Sequence, residues 1–239
     1  MTLEYRGRLP DGALIRRVVT APDRAAPVHL RAEQGAMGFA AGTTDRVIRW
    51  ACATRAAVPV APNTAGTRFD GRALVFEPGV QGGLCLPGAL PDTGACAFGL
   101  IYQATCETPE TLLTLQPAVR KDYLYLAQRG ATVLAGQDAG DLALHLPAPD
   151  TGVHLVLCAL DAGRATLMVN GASATGTLGA GWDSGAADLF IGCRGQRGGL
   201  KRKLGGFRLT DVMIWPQGLD EAGSAAARAV WQERMRDAA

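Results

Sequence analysis

The chain predicts an all-β protein, an antiparallel β-sandwich finished by a short C-terminal helix. Three observations carry that prediction. Glycine occurs 31 times and proline 13 times in 239 residues, the punctuation that many short strands joined by turns require. Short apolar runs recur at spacings of roughly ten residues, which favours a sandwich over alternating strand–helix units. Asn170-Gly171 separates two such runs. That pair lets both central turn residues take positive φ, which matches the twist of flanking antiparallel strands.

Residues 1–60 hold three extended candidates, at 13–19, 28–32 and 47–52, separated by breaks such as APDRAAP. The segment has too little apolar material to bury a core alone. It is therefore expected to pack on the rest of the chain or on another subunit. Its nine arginines against five acids leave +4, whereas the whole chain carries only +2, an asymmetry that points to a separate partner for this part. A linker-like AVPVAPNTAG (57–66) leads into RFDGRALVFE (68–77). Strands are expected next at 95–104, 111–116, 123–127, 142–146, 153–160, 164–169, 187–194 and 204–215. Pro216, Gly218 and Leu219 then precede an Ala-rich helix. Asp220 is placed to cap it, Glu221 suits its positive end, and Ala222, Ala226, Ala229 and Val230 form an apolar stripe expected to lie against the sandwich. The organisation expected is an attachment and oligomerisation region at 1–60, the sandwich at 67–218 and the helix at 219–239.

A net charge of +2 is too small to imply a nucleic-acid partner. Six cysteines form no CxxC pair, and Cys158 sits in the apolar run HLVLCAL, so buried, reduced thiols are expected rather than a disulfide framework. MTLEYRGRLPDG lacks the apolar centre of a signal peptide, and no stretch approaches the ~20 apolar residues of a membrane span. Folding in a reducing bacterial cytoplasm, without membrane insertion, is the expectation.

Catalytic constellations are sparse. Ser184 in GWDSG comes one place late for a G-x-S-x-G elbow. His29, His145 and His154 stand singly, and the cysteines and histidines match no zinc spacing. Glu107 and Glu110, three apart, fall on opposite faces of a strand and so cannot flank one glycosidic bond together. The glycines from Gly192 to Gly199 fit no phosphate-binding fingerprint. Around them lie Arg194, Arg197, Lys201, Arg202 and Lys203, either a solvated hairpin or a cationic patch for carboxylates and phosphates. In KDYLYLAQ, Leu124 and Leu126 share one strand face and Tyr123 and Tyr125 the other. Outward tyrosine rings suit stacking on sugars unless the N-terminal segment covers them. Trp182 beside Asp183 offers a ring and a carboxylate at the rim. The expected ligand-binding set is Tyr123, Tyr125, Trp182, Asp183, Arg194, Arg197 and Lys201, with no catalytic and no metal-binding residue.

From 67 to 219 the order is FDG before a short apolar run, the Asn170-Gly171 hairpin, a hydrophobic strand into Ile191-Gly192, a glycine followed by Asp211-Val212, and Leu219 before a helix. This resembles the laminin G-like, concanavalin A-like jelly-roll family. Val153-His154 departs from the Trp-His that the family frequently shows at that strand start. The resemblance implies a jelly roll used for carbohydrate recognition. Enzymes of the broader fold commonly carry Glu-x-Asp-x-Glu on one strand, a run this chain lacks. Many laminin G-like domains hold calcium at the loop rim, where Asp138, Asp141, Asp183 and Asp188 are the candidates here. They form no compact D-x-D-x-D cluster, so no cofactor is expected, with calcium left open.

A glycan-recognising fold without an export signal or disulfide dependence, and with an Arg-biased N-terminal segment, suits a phage-like particle that leaves its host by lysis. The expectation is a non-catalytic, homo-oligomeric spike, fibre or decoration subunit at a virion surface. Its jelly roll would bind host envelope polysaccharide and residues 1–60 would dock on capsid or other particle proteins. The alternatives are a purely structural assembly module and a glycoside-processing enzyme.

Overall fold

The computed structural model describes residues 2–8, 14–20, 27–60, 67–107, 109–118, 122–149, 152–179, 182, 185–195 and 203–238. Two antiparallel sheets stack on one another, as the sequence predicts. Sheet I runs in the order β14 (Ala143–Pro147), β13 (Thr132–Gln137), β12 (Leu124–Arg129), β11 (Glu110–Pro117), β18 (Ala187–Ile191), β9 (Leu84–Leu90) and β6 (Ala56–Pro59). Sheet II runs β17 (Ala172–Thr177), β16 (Arg164–Val169), β15 (Val153–Asp161), β10 (Ala95–Ala104) and β19 (Phe207–Trp215). The far edge of β19 is shared end to end by β3 (Val28–Arg31) and β8 (Leu74–Phe76). Beyond β8 come β7 (Thr67–Phe69), β5 (Arg46–Ala51) and β4 (Met37–Phe39). At one corner β5 also pairs with β6, Trp50 opposite Ala57, which joins the two sheets. β1 (Thr2–Arg8) and β2 (Leu14–Thr20) form a separate two-stranded sheet.

Alternation along the strands explains the layers. In β10, Phe98, Leu100 and Tyr102 point into the core between the sheets, while Ala97 and Ile101 belong to a second apolar cluster on the outer face. A near-continuous apolar run therefore marks a strand covered on both faces. The cover is helix α1 (Glu221–Ala238), which sets Ala227, Val230 and Trp231 over Leu155, Leu157, Met213 and Trp215. Trp231 Nε1 donates to the Val153 carbonyl at 2.8 Å. Asp220 caps the helix, its Oδ1 accepting from Gly223 N–H at 2.7 Å. Of the expected stripe Val230 packs, whereas Ala222, Ala226 and Ala229 are exposed. Trp231 removes far more apolar area from water than alanines can, and it turns the helix to do so.

Residues 28–60 contribute strands to the sandwich itself, with Val28, Leu30, Val47 and Trp50 in the central core. The single strand expected at 68–77 is two strands around a tight turn. Asp70 Oδ1 accepts from the N–H groups of Arg72 and Ala73, at 3.0 and 2.9 Å, and so substitutes for ladder bonds. The hairpin turn takes the expected form, Asn170 at φ 50° and Gly171 at φ 98°. Among the described residues, no helix is long and apolar enough to cross a membrane.

Buried His154 is tied to this hairpin. Its Nδ1 lies 3.0 Å from Asn170 Nδ2, and Asn170 Oδ1 accepts from Leu155 N–H at 2.9 Å. Burial lowers the imidazole pKa below its ordinary 6.5. The unfolded chain thus takes up a proton near pH 6.5 that the fold refuses, so stability falls as pH drops through that value. Thermal melts from pH 7.5 to 5, an interval set by that ordinary value, are expected to show this loss, and His154→Gln is expected to flatten it. A wild-type curve level across the interval would contradict the assignment.

Candidate functional site

The tyrosine face comes first. β12 buries Leu124 and Leu126 in the core and turns Tyr125 to the outer face of sheet I, as alternation requires. Across the ladders Tyr125 is flanked by Thr114 and Gly136, and the row continues from Thr114 to Phe190 and Cys85. A Cβ at Gly136 would come within 2.7 Å of the Tyr125 ring and hydroxyl, so glycine there makes room for the ring to lie across β13. Tyr123, at the mouth of β12, sets its ring centroid 6.1 Å from that of Tyr125.

These rings are half-buried rather than open. The Arg194 guanidinium carbon sits 3.8 Å from the Tyr125 centroid, a cation–π contact, and Arg194 Nε donates to Thr111 Oγ1 at 3.1 Å. Among the described residues, the cover on Tyr125 is Arg194, just after β18, beside which Cys193 and Leu204 pack with Val60, Cys85 and Phe190 in a small apolar cluster. Burial and a hydrogen bond to Asp138 push the Tyr123 phenol above its ordinary pKa, while Arg194 pulls the other way.

Of the seven expected ligand residues, the structure thus brings Tyr123, Tyr125 and Arg194 together. Trp182 does not stand open at the rim. Its half-buried ring packs against the central core, as its large apolar surface favours. Asp183, Arg197 and Lys201 lie outside the described residues. Of the calcium candidates, Asp138 and Asp141 are exposed, and Asp188 accepts from Gly88 N–H at 2.7 Å. Among the described residues, no three potential ligands gather round one point.

A second site went unseen in the sequence. A cleft of about 660 Å³ opens between the loop after β3, the turn joining β7 to β8, the C-terminal end of α1 and the edges of β10, β15 and β19. Glu33, Gln34, Arg72, Gln103, Arg208, Thr210, Arg234 and Asp237 supply its polar lining, with Tyr102 and Val153 behind them. Arg208 pairs with Asp70 at 2.7 Å, so the aspartate that shapes the β7–β8 turn also aims this guanidinium. Asp211, fully buried on β19, holds Arg234 through two bonds of 2.8 and 3.2 Å and meets His29 Nε2 at 2.8 Å. Burial alone would raise the Asp211 pKa. Hydrogen bonds from His29 and Arg234, with the Arg234 charge, outweigh it and hold the carboxyl below its usual value. Two guanidiniums of the cleft, those of Arg208 and Arg234, are therefore matched by carboxylates. Six separate stretches of chain build it, so no local spacing could have announced it.

Comparison with known proteins bears on the fold. The chain is similar to Trypanosoma rangeli sialidase in complex with sialic acid, with a TM-score of 0.60 and 14% identity over 95% of this chain and 35% of that one. A SAP-like pentraxin from Limulus polyphemus gives a TM-score of 0.49 at 14% identity, covering 61% of this chain and 76% of that one. The LG1-3 region of the laminin alpha2 chain gives 0.45 at 13%, covering 60% and 31%. This chain spans about a third of the sialidase length. At such identity the likeness shows the fold alone. No protein-family model matches the chain, and no curated protein does.

These findings overturn the expectation of a non-catalytic spike, fibre or decoration subunit of a phage-like particle. That reading passed from a lectin-like fold to a particle, yet sialidases, which are enzymes, share the sandwich over nearly the whole of this chain. The fold consequently gives no warrant for a virion or for the absence of catalysis.

Proposed function

We propose that this chain works in glycoside processing, its sandwich engaging a hydroxyl-rich sugar in the cleft beside the C-terminal end of α1. The observation that carries the reading is the lining of that cleft. Its volume falls within the ~300–1,000 Å³ of small-molecule sites. Guanidiniums, carboxylates, amides and a hydroxyl stand together there, the mixed donors and acceptors that vicinal hydroxyls require. Because Asp70 and Asp211 already pair Arg208 and Arg234, the cleft suits a neutral sugar better than an anionic one. The sialidase likeness supports the glycoside setting through the fold.

Titrating the full chain with neutral and sialylated oligosaccharides by NMR, and following sugar release by chromatography, tests the reading. Neutral sugars are expected to shift cleft resonances. Arg72→Ala combined with Gln103→Ala is expected to weaken binding by about tenfold, the loss of one or two hydrogen bonds, with the melting temperature unchanged. Released sugar would place the chemistry on this chain, and binding without release would make the chain the part that holds the glycan. No binding and no release, or equal binding by the double variant, would overturn the proposal.

A further inference from the structure

The geometry points to a second site, on the outer face of sheet I, where Arg194 and Thr114 bind an oxyanion over Tyr125. Arg194 is half-buried, yet among the described residues no carboxylate lies within 4 Å of its guanidinium. Nε is engaged by Thr111, while Nη2 is shielded from solvent with no hydrogen-bond partner. Thr114 is fully buried, and its Oγ1 also lacks a partner. Register puts Thr114 directly opposite Tyr125, the ring on which Arg194 lies, so both orphaned groups belong to one patch of one face. Desolvated donors without acceptors are costly, a desolvated cation most of all. What the patch lacks is a negatively charged acceptor.

A carboxylate or a sulfate ester supplies it. The guanidinium fork can give Nη2–H to one oxygen, Thr114 can donate to another, and the Tyr123 hydroxyl, within hydrogen-bonding reach of Arg194, borders the place. Stacking on Tyr125 fixes the plane of the fork, so little rotamer freedom is left to lose on binding. What sets this cation apart is that a guanidinium nitrogen is shielded from solvent and has no acceptor. Placing the oxyanion on an acidic glycan rests on the proposed function, whereas the oxyanion site itself does not.

Calorimetric titration of the full chain at low salt with an oligoglucuronate and, separately, with inorganic sulfate is the test. Both probes are expected to bind if the site reads the oxyanion itself, and binding by the oligoglucuronate alone would narrow it to carboxylates. Arg194→Ala is expected to lose at least tenfold in affinity. Arg194→Lys, which keeps charge without the fork, should recover only part of that loss. Thr114→Val, which removes the hydroxyl at constant shape, should weaken binding several-fold without lowering the melting temperature, and Arg72→Ala in the cleft should change nothing. Absence of binding by either probe, or undiminished binding by both Arg194→Ala and Thr114→Val, would overturn the proposal. Neutral-sugar binding in the cleft could survive that result, so the two proposals fail separately.

Discussion

Asp211→Ala is expected to cost about 3–5 kcal/mol of stability at neutral pH, read as a shift in the urea midpoint. The size follows from what the substitution strands. Asp211 is fully buried on the strand at the middle of sheet II, and its carboxylate meets Arg234 and His29 by hydrogen bonds, with Arg31 Nε a further 3.8 Å away. Arg234 has only 14% of its side chain exposed, so alanine at 211 leaves a guanidinium confined without its counter-charge. Arg31 also binds Glu233 of the helix at 2.9 Å, so the network ties β3, β19 and α1 together. Asp211→Asn keeps an acceptor and should lose less. The sign with pH is fixed too. A carboxyl held below its ordinary 3.8 gives stability that is complete above that value and disappears as pH falls through the lower folded value. That acid loss is separate from the one assigned to His154 near pH 6.5. A midpoint shift equivalent to less than about 1 kcal/mol, the scale of an exposed ion pair, would show that the network is only a surface decoration.

Trp50→Ala is expected to cost a similar amount, about 3–5 kcal/mol, by opening a cavity that the surrounding strands cannot fill. Trp50 is among the largest side chains buried completely. Its Nε1 donates to the Arg31 carbonyl at 2.8 Å, a bond that alanine would also remove. Trp50→Phe, which keeps most of the volume, should lose clearly less than alanine. Urea unfolding followed by far-ultraviolet circular dichroism measures both. A single cooperative transition shifted to lower urea is expected, because Trp50 packs in the same core as Phe98 and Phe207. A transition of unchanged midpoint would mean that residues 28–60 can be loosened without disturbing the sandwich.

Much of the sandwich was legible because its strands carry their own signals. ACAFGLIYQA reads as a strand from end to end, and β10 occupies those ten residues. Asn170-Gly171 announces its turn through backbone conformation alone. The strands that went unread lack such signals. Pro87 and Gly88 interrupt β9, and ASATGT in β17 has no large apolar residue to mark a face. β6 lies in a stretch whose prolines suggest a linker, yet it pairs with β5 and β9. The local periodicity of β12 correctly turned Tyr125 outward, but it could not reveal that Arg194, 69 residues later, would lie on the ring. The cleft was invisible for the same reason on a larger scale, since each side chain lining it looks like an ordinary solvated group until six stretches of chain meet.

The central place of β19 in sheet II also bears on the order of events at the ribosome. β10, β3 and β8 all rest on this one strand, and the His29–Asp211 contact closes a span of 182 residues. A nascent chain that has just released Trp50 must keep its early hydrophobic strands from wrong partners until Phe207–Trp215, more than 150 residues later, is made. Contacts so distant in sequence make for slow folding and a long exposure to aggregation. Chaperone demand during translation is thus written into the position of a single strand.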